Sequence, residues 1–76
     1  MFEEIKEVLS EQLGIETDIK LESKLKEELS IDSLLAVELS ILLENKYDID
    51  IKEEELAKLV TIKDVIDLLE TKGVKA

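Results

Sequence analysis

Seventy-six residues with no Cys and no His exclude disulfide stapling, a Cys/His zinc site and nucleophilic catalysis by a thiol or imidazole of the chain itself. Twenty acidic residues against ten basic ones, a formal net charge of −10, argue against nucleic acid and anionic membranes as partners. That charge suits partners with basic surfaces or simply keeps a small protein soluble, and composition alone leaves both open.

Residues 1–76 read as a single all-α domain, because there is no Pro, only two Gly, and much Leu, Glu and Lys. A first helix is expected from Phe2 to Leu13, with Ile5, Val8, Leu9 and Leu13 on one face. Its acidic, amphipathic opening lacks the regions of a signal peptide, so a cytoplasmic location is expected. Gly14 falls where a left-handed cap would close that helix. From Ile15 to Leu29 apolar residues are scattered among charges without period. This predicts a long ordered loop with a helical turn near Ser23 to Glu28, and loops of that length are more often functional than idle. A second helix is expected from Asp32 or Ser33 to about Lys46, with Asp32 as N-cap. A short helix from about Glu53 to Leu59 follows. Thr61-Ile62-Lys63-Asp64 then resembles a capping box. It opens a last helix whose core face is Ile62, Val65, Ile66 and Leu69, with Gly73 just past its end. Three to four helices result, with no apolar run of membrane-spanning length.

The second helix is apolar on two sides. Leu35, Leu39, Leu42 and Leu43 share one broad face, while Leu34, Val37 and Ile41 form a separate stripe. Glu38 and Asn45 divide them on one edge, Ser40 and Glu44 on the other. Such a helix is either buried twice or packs its core on one side and meets a partner on the other. A chain this short has little material for burying it twice. Directly before the second stripe stands Asp32-Ser33-Leu34. Asp capping a helix and Ser filling its first turn would account for the pair. A hydroxyl there is also a good attachment point for phosphate, because free N–H groups and the helix dipole stabilise an anion.

Glu27 to Leu39, Glu-Glu-Leu-Ser-Ile-Asp-Ser-Leu-Leu-Ala-Val-Glu-Leu, resembles the acyl carrier protein motif, in which Asp-Ser-Leu carries the modified serine. Glu11 to Ile15 looks like the end of that family's first helix, and Leu42 to Ile51 like the acidic end of its second. Glu53-Glu54-Glu55 and Thr61-Ile62 fall in register as well. The resemblance implies a covalent 4′-phosphopantetheine on Ser33, installed from coenzyme A by a phosphopantetheinyl transferase, with acyl groups held as thioesters. It further implies Asp32 in transferase recognition, Leu34, Val37 and Ile41 as apolar partner contacts, and Glu38 and Glu44 as acidic contacts to basic enzymes. The protein would then be a monomeric carrier, not an enzyme, serving fatty acid synthesis or related pathways.

Ser30 replaces the family's usual Gly, Ile31 a smaller residue, Leu35 a polar or acidic one, and Lys52 a common Pro; Asn45 and Lys46 dilute the acidic run. Polyketide, peptide or D-alanyl transfer is therefore the alternative within the class. An unmodified helical adaptor is the alternative outside it. A calcium loop at Asp48 to Glu55 fails for want of the turn glycine and of an oxygen ligand where Lys52 stands.

Overall fold

The computed structural model describes residues 1–75 and is helical throughout its regular elements. Helix α1 spans Phe2–Glu7 and continues as a π-helix over Val8–Gln12. The first helix thus covers nearly the expected range, but its second half is wound wider. Leu13 N–H donates to the Val8 carbonyl at 3.3 Å, a five-residue step, and Ile15 N–H reaches back to the Leu9 carbonyl at 3.0 Å. Gly14 follows at φ 70°, as the cap position requires.

Helix α2 spans Ser33–Tyr47, one residue longer than its pattern suggested. Asp32 caps it, its Oδ1 accepting from Leu35 N–H at 2.9 Å. Asp48 closes it in the left-handed region at φ 54°, donating its N–H to the Glu44 carbonyl. Helix α3 is a single turn, Glu53–Leu56, shorter than expected. Lys58 N–H and Leu59 N–H bond three residues back, to the Glu55 and Leu56 carbonyls, so the chain tightens into turns instead of propagating an α-helix. Helix α4 spans Ile62–Thr71 and begins with the expected capping box. Asp64 N–H donates to Thr61 Oγ1 at 3.2 Å, and Asp64 Oδ2 accepts from the N–H groups of Thr61 and Val60 at 3.1 and 3.0 Å. Those backbone donors, Thr61 first, hold the Asp64 carboxyl below its ordinary range.

The segment between α1 and α2 is an ordered loop, stapled to the start of α4. Leu25 N–H donates to the Val60 carbonyl at 2.8 Å, and Ile62 N–H to the Ser23 carbonyl at 3.1 Å. The helical turn expected near Ser23 to Glu28 is present, with Glu28 N–H bonded to the Lys24 carbonyl at 2.9 Å.

The core is aliphatic. Ile5 from α1, Leu9 from its π-helical continuation, Leu39 and Leu43 from α2, and Ile62, Val65 and Leu69 from α4 are all but fully buried, with Ile19, Leu25, Leu29 and Ile31 added by the loop. Ile66, expected beside them, is only half-buried. Tyr47 Oη donates to Glu4 Oε1 at 3.0 Å and ties α2 to α1. Partial burial first, then this bond and the charge of Glu4, push the Tyr47 hydroxyl up to about 12.

Candidate functional site

Ser33 is the first residue of α2 and lies exposed. Two neighbours fix its place. Ile31 is buried, and its N–H is held by the Leu25 carbonyl at 2.9 Å; Asp32 uses its carboxylate to cap the helix. The hydroxyl therefore sits at a rigid corner, beside first-turn N–H groups that lack helical acceptors.

Ser33 and Asp32 also line a cavity of about 310 Å³ between α2, α3 and the loop. Its other walls include Leu25, Ile31, Ala36 and Leu39 on one side and Leu56, Leu59 and Val60 on the other.

The outward stripe of α2 lies where the pattern put it. Leu34 is 69% exposed, Val37 45% and Ile41 49%, whereas Leu39 and Leu43 are 1% and 2% exposed. Glu38 is exposed beside that stripe. Glu44 is half-buried, and its Oε2 accepts from Ile51 N–H at 2.8 Å; part of its charge is thus already used inside the molecule. Ser40, which the helical wheel placed on a dividing edge, is buried, its Oγ donating to the Val37 carbonyl at 2.7 Å. A serine can enter such a site because its hydroxyl finds an acceptor on its own helix.

A protein-family model described as "Phosphopantetheine attachment site" matches residues 3–69. The acyl carrier protein of Campylobacter concisus is 43% identical over 74 residues, 96% of each chain. This chain belongs to the acyl carrier protein family. The acyl carrier protein of Wolinella succinogenes is 46% identical over 72 residues, 93% of this chain and 95% of that one. In three dimensions the crystal structure of an acyl carrier protein from Thermotoga maritima superposes with a TM-score of 0.81 at 32% identity. It covers 92% of this chain and 82% of its own.

Acyl carrier proteins of this family bear a covalent 4′-phosphopantetheine and are carriers, not enzymes; transferases and synthesis enzymes act on them. The residues present here fit that group. An exposed hydroxyl stands at a helix start, where the backbone stabilises an attached anion. When bound, the group supplies the terminal thiol that a chain without Cys does not have. No helix of the described residues is long and apolar enough to cross a membrane.

Proposed function

We propose that Ser33 is the attachment residue and that residues 1–76 act as one monomeric carrier unit in the cytoplasm, delivering acyl chains to the enzymes of fatty acid synthesis. The observation that carries this reading is the rigid, exposed Ser33 at the head of α2, immediately before the outward apolar stripe. A partner that must reach Ser33 approaches over Leu34, Val37 and Ile41, with Asp32 and Glu38 as its charged contacts. Glu44 supports the same edge through the oxygen not engaged by Ile51. Lys24, Lys26 and Glu27 also line the neighbouring cavity, but its aliphatic majority favours a hydrocarbon cargo.

Two measurements test this. Incubation with coenzyme A and a phosphopantetheinyl transferase is expected to add one phosphopantetheine mass to the intact protein, and Ser33→Ala to abolish the addition while leaving helical circular dichroism unchanged. Labelling that persists in the alanine variant rejects Ser33. Loading by a malonyl transferase of fatty acid synthesis is expected to exceed loading by an aminoacyl-activating enzyme; the reverse order rejects the pathway and leaves the attachment residue standing.

A further inference from the structure

Leu56, Ala57 and Leu59, at and just after the end of α3, form part of the wall of the cavity beside Ser33, yet none of residues 52–59 is buried. They hang between two firm anchors. On one side Ile51 is buried and its N–H is held by Glu44. On the other, the Val60 carbonyl is bonded to the loop at Leu25, and Thr61 begins the capping box. Between these anchors Leu56 and Leu59 give only partial apolar packing. The stretch makes one side-chain bond to another element among the described residues. Lys72 Nζ, at the end of α4, donates to Glu55 Oε1 at 2.8 Å. The same Oε1 accepts from Lys52 N–H at 3.0 Å. The side chains of this pair are 23% and 29% exposed, whereas Lys63–Asp67 and Lys24–Glu27 are at least half exposed. A partly sheltered pair is screened less by salt than a surface one.

We infer that Glu55 and Lys72 are positioning residues for the cavity beside Ser33: their bond latches α3 to the end of α4, and its release lets that wall swing outward. Glu55 lines no part of the cavity itself; it acts through the backbone of Leu56 and Ala57, which do. Glu55 joins the start of α3 to α4, so losing either end of the bridge frees the turn. The latch needs no modification of Ser33. Only its bearing on cargo depends on the attachment reading.

The test is amide hydrogen exchange on the full-length, unmodified chain, read residue by residue. Lys72→Met and Glu55→Gln are each expected to speed exchange of amides 55–59 by about three- to tenfold, the effect of losing one charge-assisted bond. Amides within α2 and α4 keep their rates, and so does the whole chain in the control Lys63→Met. Nile red, an uncharged apolar probe, is expected to bind both latch variants more tightly than the parent chain. Three results overturn the inference. The first is unchanged exchange in 55–59. The second is acceleration by the same factor in every helix, which marks general destabilisation. The third is a response to Glu55→Gln without one to Lys72→Met, which reduces the device to a local cap. Ser33→Ala leaves all these rates unaltered, so failure of the latch and failure of the attachment site read out separately.

Discussion

Ser30 stands at φ 57°, in the left-handed region that favours glycine, two residues before the cap of α2. A side chain there costs about 1–2 kcal/mol relative to right-handed backbone, and among the described residues the exposed Ser30 hydroxyl has no hydrogen bond that offsets it. Glycine would remove the strain but lose about 0.5–1 kcal/mol more backbone entropy on folding. Ser30→Gly is therefore expected to stabilise the fold by about 0.5–1 kcal/mol, measured by urea unfolding; a loss of stability would show that the serine side chain has a contact worth more than the strain. This position was legible as a departure from the family's glycine, though its backbone angle was not. Glu44 shows the opposite limit. Its place on a helix edge was clear, but its bond to Ile51 depends on how the chain turns back after Asp48, and no local pattern encodes that.

Helix α2 has one exposed apolar stripe and one buried one, and the roles proposed for them can be measured. Val37→Ala and Ile41→Ala remove groups already about half in water, so each is expected to change stability by no more than about 1 kcal/mol. Leu39→Ala and Leu43→Ala open a cavity in the core and are expected to cost about 2–5 kcal/mol each. Thermal or urea unfolding of the Ile41 and Leu43 variants, set beside transferase kinetics, separates docking from folding. If Ile41→Ala unfolds the domain while Leu43→Ala is tolerated, the partner face has been misassigned. Helices α2 and α4 were readable because each carries both a period and a cap: Asp32 before the one, Thr61 with Asp64 before the other. In α1 the apolar positions fit either winding, so the widening after Glu7 left no mark in the pattern. The turn that follows α3 was hidden similarly, since Leu56 and Leu59 satisfy a helical spacing without an α-helix to hold them.

Across the whole molecule, a net charge of −10 is carried on a body of 28 × 23 × 20 Å. Neighbouring carboxylates on such a surface lie within a few screening lengths, about 8–10 Å each near physiological salt. The described residues hold four ion pairs, two of them with both partners exposed, so most of the twenty acidic groups repel without local compensation. The melting temperature is expected to rise when sodium chloride is raised from about 0.05 to 0.5 M, and more steeply with magnesium at equal ionic strength. A melting temperature that ignores salt would show that the acidic groups are already balanced where they sit. The charge was readable from composition, and so was the aliphatic core. The stapling of the loop to the start of α4 was not, because Leu25 and Val60 are brought together only by the folded chain.

The proposed attachment at Ser33 has a consequence for delivery. Ile31 is buried behind it and Asp32 caps the helix that starts there, so the proposed point of tethering is anchored to the fold on its N-terminal side. Whatever is carried from that point explores a volume set by the tether's own length and stiffness. Its effective concentration at a docked enzyme then depends on where the enzyme sits on α2, not on motion of the carrier. Loosening the corner around Ile31 would blur that volume and dilute the cargo at every enzyme alike. Altering Val37 or Ile41, on the proposed docking stripe, would instead change which enzyme is near enough to collect it.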